Sequence, residues 1–262
     1  MPETPTPSVE NAAATRDAWR EARLARVTAP QGDLALIETR WLPEGTELSD
    51  AEALAGQPST VTVTRLTRSD LDTGRPEHGI RLWDSASPAI QHFETISLFD
   101  FDPAWVIDAE FTPVAGDRTI PFEHIRDNGS SRDLVVPGDI TFSRDGVDYR
   151  LSAFDDGGVL LLVFGDPTNG SDDPDLATYG SGRFLFVERP SLAEDAAADG
   201  TGTAAGFTDA GHVVLDFNKA FVPPCGFSEQ YNCPLPPAQN RFRIPVTAGE
   251  RDLVLSPGFS IH

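Results

Sequence analysis

Eight polar residues in the second half of the chain are of types that bind or transform small molecules. They are Asp166, Thr168, Tyr179, Arg183, Asp216, Asn218, Asn240 and Arg241. Each lies at the end or the start of an apolar run typical of a β-strand, so neighbouring strands would bring these residues to one rim. Arg183 could then bind a carboxylate or phosphate through two parallel hydrogen bonds. Asp166 or Asp216 could act as a general base if desolvation raised its pKa.

The same residue types also support a structural interpretation. In that interpretation Arg183 is a buried arginine held by Asp166 and by carbonyl groups of the loops, because a buried charge needs such partners. Networks of ion pairs perturb pKa values without being catalytic. We favour the structural interpretation of Arg183, and the sequence assigns no catalytic residue.

Cys225 and Cys233 lie in a proline-rich segment, FVPPCGFSEQYNCPLPP at 221–237. Zinc needs four ligands, and no histidines of the chain show ligand-like spacing, so we expect no metal here. A disulfide would stabilise the loop, although a reducing cytoplasm works against it. A nucleophilic cysteine would need a nearby base. We favour two buried thiols, since free cysteine is among the most buried residue types, and keep Cys225 as a candidate ligand-binding residue.

Sequence motifs for common cofactors and metals are missing from the chain. The acidic segment DPTNGSDDPD at 166–175 does not follow the calcium-binding pattern of an EF-hand loop. We find no glycine-rich phosphate loop, no Gly-x-Ser-x-Gly and no His-Glu-x-x-His. The sequence therefore predicts no metal and leaves any cofactor unknown.

The charge of the chain is strongly negative. Its 41 acidic and 20 basic residues give a net charge of −21, and Lys219 is its only lysine. This composition is typical of proteins that work at high salt, where the Debye length falls to about 3 Å at 1 M and screens acidic repulsion. A basic protein partner is the alternative explanation. The charge argues against binding of nucleic acid and of anionic membrane surfaces.

The elements that would position these residues are mainly short strands. Residues 1–7 are predicted to be a disordered lead, and a helix is expected at about 8–27, with Ser8 as its N-cap. The predicted strands are 34–42, 61–67, 79–83, 104–111, 138–143, 147–154, 159–166, 183–188, 211–217 and 241–246. Asp145-Gly146 predicts a hairpin, which 159–166 would extend to a three-stranded meander.

These patterns predict the fold class and the location of the protein. We expect a mainly β protein with a single β-rich domain over 8–262, a barrel or sandwich of antiparallel strands with an N-terminal helix. No run of about eighteen apolar residues predicts a membrane-spanning helix. The N-terminus lacks the pattern of a secretory signal, so the sequence predicts a cytoplasmic protein.

Several segments resemble an uncharacterised family of archaeal and bacterial proteins, "domain of unknown function 1684". The most specific are LDFNKAFVPPCG, CPLPPAQNRF and AGE; GDPTNG and TYGSGRFL, within 165–185, are also similar to family segments. The resemblance covers nearly the whole chain. VPPC at 222–225 departs from the Asn-Pro-Pro-Cys expected there, which puts a site that uses the Asn in doubt. The resemblance implies kinship and carries no activity.

Three hypotheses about function remain open. The first is a small-molecule binding protein with its pocket at the mouth of the barrel or sandwich, lined by segments 166–183 and 216–241. The second is a hydrolase that uses Asp166 or Asp216 as base and Arg183 to bind an anion. The third is a structural or assembly protein without a ligand. The sequence does not predict an oligomeric state.

Overall fold

The N-terminal helix predicted at about 8–27 is present as α1, Val9–Val27. The structure is a computed structural model that describes residues 9–71, 73–114, 116, 118–187 and 209–262. The predicted disordered lead and the cap at Ser8 lie outside the described residues.

The chain forms two compact units, each built from several chain segments. Unit 1 contains, among the described residues, those up to Trp19, Ser97–Pro223 and Pro234–Asp252. Unit 2 contains Arg20–Ile96, Pro224–Cys233 and Leu253–His262. That the whole chain behaves as the single domain expected over 8–262 stays a prediction.

Unit 2 contains one antiparallel sheet and two short helices. The helices are α2, Asp50–Ala53, and α3, Pro88–His92. The strands are β1, Leu36–Trp41, β2, Val61–Ser69, and β3, Pro76–Asp84, in the order β1-β3-β2. Apolar residues of this sheet alternate with polar ones, so one face packs on a core formed by Ala53, Val61, Ile80 and Leu82.

Two further strands, each with residues assigned to both units, pair with each other. They are β4, Phe93–Leu98, and β14, Glu250–Leu255. Gly249, directly before β14, has a φ of +81°, in the left-handed region that favours glycine. Its carbonyl oxygen accepts a hydrogen bond of 3.0 Å from Phe99 N–H.

Unit 1 contains three antiparallel sheets among its described residues. Their strands are β5, Val106–Pro113, β6, Thr119–Glu123, β7, Ser131–Val135, β8, Gly138–Arg144, β9, Val147–Leu151, β10, Phe154–Asp155, β11, Leu160–Phe164, β12, Arg183–Phe186, and β13, Gly211–Asp216. The sheet orders are β13-β5-β8-β9, β10-β11-β12 and β6-β7. None of these sheets closes on itself within the described ranges. The prediction of a mainly β fold is confirmed.

The predicted hairpin at Asp145-Gly146 is confirmed. The strand predicted at 159–166 is present as β11, but it does not extend this hairpin to a three-stranded meander. β8 pairs with β9, and both turn residues have positive φ, as a tight hairpin requires. β9 ends at Leu151 because the side chain of Asn240 binds the backbone of the next residue, Ser152. β11 instead pairs with β10 and β12.

The strand predicted at 241–246 is also wrong. That segment contributes only an isolated parallel bridge between Arg241 and Gly165. A 3-10 turn, Ala238–Asn240, comes directly before it. The alternation of apolar and polar residues in RFRIPV reflects an extended segment whose apolar side chains pack on the core, without a neighbouring strand along its length.

Aromatic side chains form the centre of the core of unit 1. The ring of Phe164 meets those of Phe217 and Phe242 edge to face, with centroids 5.1 and 5.8 Å apart. Such pairs stabilise a core beyond the area that they bury. This core holds the end of β11 in place, where the candidate residues begin.

None of the helices in the described ranges combines the length and the apolar character that a membrane-spanning helix needs.

Candidate functional site

The guanidinium of Arg183 is completely buried and bonded to protein groups. Its Nη1 donates to the carbonyl oxygens of Ala248, at 2.6 Å, and Glu250, at 3.2 Å. Its Nη2 donates to the carbonyl oxygen of Val246, at 2.7 Å, and to Oδ2 of Asp166, at 3.0 Å. This is the geometry of the structural interpretation, an arginine held by Asp166 and loop carbonyls.

The carboxylate of Asp166 has no exposed surface and is shared between the same groups. Oδ2 faces Arg183, and Oδ1 accepts hydrogen bonds from the N–H groups of Thr168, at 2.9 Å, and Val246, at 3.1 Å. Burial lowers the pKa of Arg183, and the charges of Asp166 and Glu250 act in the opposite direction. Through their bonds to Val246 and Ala248, Asp166 and Arg183 join the end of β11 to the segment that leads into β14.

The loop after β11 is closed by its own side chains. The hydroxyl groups of Thr168 and Thr178 are 2.9 Å apart. Asn169 Nδ2 donates to Thr178 Oγ1 and to the carbonyl oxygen of Tyr179. The N–H of Tyr179 in turn donates to the carbonyl oxygen of Arg251 at 2.8 Å. Thr168 and Tyr179 thus take part in bonds that shape this loop.

Asn240 and Arg241 are neighbours in sequence with opposite environments. Asn240 is fully buried; its Oδ1 accepts from Ser152 N–H, and its Nδ2 donates to the carbonyl oxygens of Ser152 and Val163. The side-chain amide of Asn240 therefore bonds backbone groups of two segments, in the place that a neighbouring strand would take. Arg241 is exposed, and within the part of the chain that the structure describes no ion pair involves its guanidinium.

Asp216 and Asn218 form a separate cluster at the end of β13. Oδ1 of Asp216 accepts from the N–H and from Nδ2 of Asn218, and Lys219 Nζ lies 3.6 Å from Oδ2. Asn218 also exchanges two hydrogen bonds with the backbone of Asp102. Within the described residues no hydrogen bond joins this cluster to Arg183. The structure thus brings Asp166, Thr168, Tyr179 and Arg183 together at the loop after β11 and leaves Asp216 and Asn218 in a separate group.

Cys225 belongs to unit 2, where it lies next to Cys233. Both thiols are buried, with exposed fractions of 2% and 6%, and neither is in a disulfide. A hydrogen bond with Cys225, together with burial, raises the pKa of the Cys233 thiol. Two buried thiols are what the favoured interpretation predicts. Among the described residues, no three side chains of His, Cys, Asp or Glu are arranged to hold a metal ion.

A groove in unit 2 contains residues that the sequence analysis missed. Its volume is about 770 Å³. The groove is lined by Leu42, Thr46, Glu47, Leu48, Ser49, Glu52, Arg65, Leu66, Thr67, His78 and Gly79. A second cavity, of about 700 Å³, shares Leu42, Thr46, Glu47 and His78 with it. Two residues with titratable side chains, Glu47 and His78, therefore line both spaces.

Most polar side chains of the groove already have protein partners. Glu52 and Ser49 form the capping box of α2, and hydrogen bonds from Ser49 lower the pKa of Glu52. Arg65 donates to Asp50 Oδ1 at 2.6 Å. His78 Nδ1 lies 3.1 Å from Thr67 Oγ1. The capping box could have been found in the sequence, but the approach of segment 42–52 to β2 and β3, which forms the groove, could not.

Glu47 is the groove carboxylate that stays available to a ligand. No ion pair involves it within the described ranges, and it is exposed. His78 lines the same groove, and its Nε2 can accept or donate a hydrogen bond, since its Nδ1 is the nitrogen next to Thr67.

Comparisons with known proteins give kinship without an activity. A solution NMR structure of an uncharacterised protein of Haloarcula marismortui is 28% identical; the match covers 61% of this chain and 77% of that chain, with a TM-score of 0.44. No curated protein matches the chain. The model of the family described as "Protein of unknown function (DUF1684)" matches residues 91–251, more than half of the chain. The chain therefore belongs to this family of unknown function.

Proposed function

We propose that this protein binds a small molecule in the groove of unit 2. The observation that carries the proposal is the groove itself. Its volume of about 770 Å³ lies within the range of small-molecule sites, roughly 300–1,000 Å³. Leucine side chains supply apolar walls, and Glu47 and His78 supply polar groups that fix orientation.

The available groups favour a ligand that carries an amine. The carboxylate of Glu47 is a hydrogen-bond acceptor only, so it pairs best with a cationic donor. Arg65, the basic residue of the groove, is already paired with Asp50. The net charge of −21 also raises the local concentration of cations around the protein. We therefore propose a small organic amine with an apolar body.

Three four-carbon probes test this proposal by calorimetric titration. 1,4-Diaminobutane, 1,4-butanediol and succinate have similar lengths but carry positive, neutral and negative charge. We expect the diamine to bind more tightly than the diol, and succinate not to bind. Glu47→Gln should weaken binding of the diamine about tenfold, because a charge-assisted hydrogen bond is lost.

Glu94→Gln is the matched control for the titration. Glu94 is exposed and lies outside the groove, so its substitution removes the same charge without touching the lining. Equal loss of diamine binding in both variants would show attraction to the acidic surface as a whole and would overturn the proposal. Unchanged binding in Glu47→Gln would overturn it as well.

A structural role is the second candidate function, for the residues around Arg183. It is favoured by one observation: Arg183 and both oxygens of Asp166 are bonded to the protein itself. The hydrolase alternative needs a carboxylate free to accept a proton. The carboxylates of Asp166 and Asp216 are both buried and bonded to protein donors, which argues against either as base. We infer that these residues hold loops in place.

We also propose that the protein works in the cytoplasm at high salt, without nucleic acid as partner. The net charge of −21 supports a high-salt environment and argues against nucleic acid as partner. We expect the melting temperature to rise as KCl increases from about 0.1 M to about 2 M, because the Debye length shrinks from about 10 Å to under 3 Å. Sucrose is the control, since it stabilises folded proteins by exclusion and screens no charge. A rise in sucrose without a rise in KCl would contradict the proposal.

A further inference from the structure

The segment Pro224–Cys233, here called the strap, follows the outer edge of β1. β1 is an edge strand, because the order of its sheet is β1-β3-β2. Ser228 Oγ donates to the carbonyl oxygen of Leu36 at 2.7 Å. Thr39 donates through its N–H to Gln230 Oε1 and through its hydroxyl to the carbonyl oxygen of Gln230, both at 2.9 Å. The strap thus satisfies polar groups that an edge strand leaves unpaired.

A cysteine lies at each end of this bonded stretch. Seven residues separate Cys225 from Cys233, and the bonds to β1 come from residues between them. The fold nevertheless brings the two together: the N–H of Cys225 donates to Sγ of Cys233 at 3.3 Å. The backbone of Cys225 therefore contacts the sulfur of Cys233, and the two ends of the bonded stretch meet.

A hydrogen bond and an ion pair hold the residues near the two thiols in place. Tyr231 donates its hydroxyl hydrogen to Oδ1 of Asp33 at 3.3 Å, and Arg23 pairs with Oδ2 of the same carboxylate at 3.0 Å. Burial raises the pKa of Tyr231, and the charge of Asp33 adds to the shift. These contacts hold the C-terminal half of the strap, so Cys233 is kept at the position where Cys225 meets it.

We propose that Cys225 and Cys233 are a dithiol that closes to an intramolecular disulfide by exchange with a small disulfide, and that the bond locks the strap in the conformation that binds β1. One thiol loses its proton, and the thiolate attacks a sulfur of the small disulfide, which releases one small thiolate. The second protein thiolate then attacks the protein-bound sulfur and releases the other. Two protein thiols lose two electrons and two protons, and the small disulfide becomes two thiols.

Bis(2-hydroxyethyl) disulfide is the probe, because it is neutral and the acidic protein does not repel it. After native protein is equilibrated with it, we expect an intact mass lower by about 2 Da and no alkylation of either cysteine after unfolding. The melting temperature should rise by about 5–10 °C, because the bond restricts the unfolded chain. Cys225→Ser and Cys233→Ser should instead retain the small thiol as a mixed disulfide.

The strap also determines the rate at which the disulfide forms. Both thiols are buried, so the small disulfide reaches them only when the strap opens. Gln230→Ala removes the acceptor of Thr39 N–H and should speed closure without changing the product. Gln239→Ala is the control, since its amide lies outside the strap and contacts Ser152. Equal rates in both variants would contradict closure through opening of the strap.

The equilibrium constant for disulfide formation is the decisive measurement. The fold should favour the disulfide, so its formation constant against the probe should be larger in native buffer than in urea. A smaller constant in the native protein, or a mixed disulfide on each cysteine without closure, would overturn the proposal. Neither measurement depends on ligand binding in the groove, so this proposal and the proposed function fail separately.

Discussion

Arg183→Met is expected to lower the free energy of unfolding by about 3–5 kcal/mol, the usual cost of removing one partner of a buried ion pair. The substitution leaves the buried carboxylate of Asp166 without its cation. It also leaves the carbonyl oxygens of Val246 and Ala248 without their donor. Methionine fills most of the volume, so the loss reflects charge and hydrogen bonding more than a cavity. Urea denaturation monitored by circular dichroism measures it.

Arg241→Met is the matched control for this prediction. Arg241 is exposed, and the same substitution there should change stability by less than about 0.5 kcal/mol. Asp166→Asn combined with Arg183→Met should recover part of the loss, because the uncompensated charge is gone. If Arg183→Met left stability intact, the structural role would be wrong, and a role of Arg183 in binding would regain support.

Gly249→Ala is expected to lower the free energy of unfolding by about 2–5 kcal/mol, the sum of left-handed strain and steric overlap. A Cβ at this position would lie 2.6 Å from the carbonyl oxygens of Phe217 and Ala220. Both are backbone atoms, which cannot rotate away as a flexible side chain can. The residues on either side, Ala248 and Glu250, supply carbonyl groups to Arg183, so any shift here also disturbs the ion pair.

Gly146→Ala separates the two contributions. Gly146 has a φ of +74°, close to that of Gly249, but an added Cβ would meet no atom within 4 Å. This control should therefore lose only the conformational part, about 1–2 kcal/mol. Equal losses in both variants, by thermal or urea denaturation, would show that the close approach of the backbone at Gly249 does not constrain the fold.

Local patterns in the sequence predicted much of the fold. The turn Asp145-Gly146 and the alternation in 61–67 and 211–217 led to strands that are present. The segment 241–246 shows the limit of such patterns. Its alternation is real, but whether an extended segment becomes a strand depends on a neighbour, and Arg241 finds only a single bridge to Gly165.

The contacts of the candidate residues could be predicted only where they join neighbouring strands. Asp166 and Arg183 lie at the ends of two strands that pair, and Phe164 and Arg183 are opposite each other in that ladder. Proximity along paired strands can be foreseen, so this contact was expected. Asn218 and Asn240 bind Asp102 and Ser152, which are distant in sequence. No local pattern encodes such contacts. The groove around Glu47 likewise forms between segments that no local pattern brings together.

The interleaving of the two units has a consequence for synthesis on the ribosome. Unit 2 begins with Arg20 but also needs Pro224–Cys233 and residues from Leu253 onward. Unit 1 needs the chain up to Asp252. During synthesis β1 therefore lacks its strap until residues 224–233 are made, and β4 lacks β14 until residues 250–255 are made. Both edges await segments that are made after residue 223, so neither unit can finish folding before residue 252 is translated.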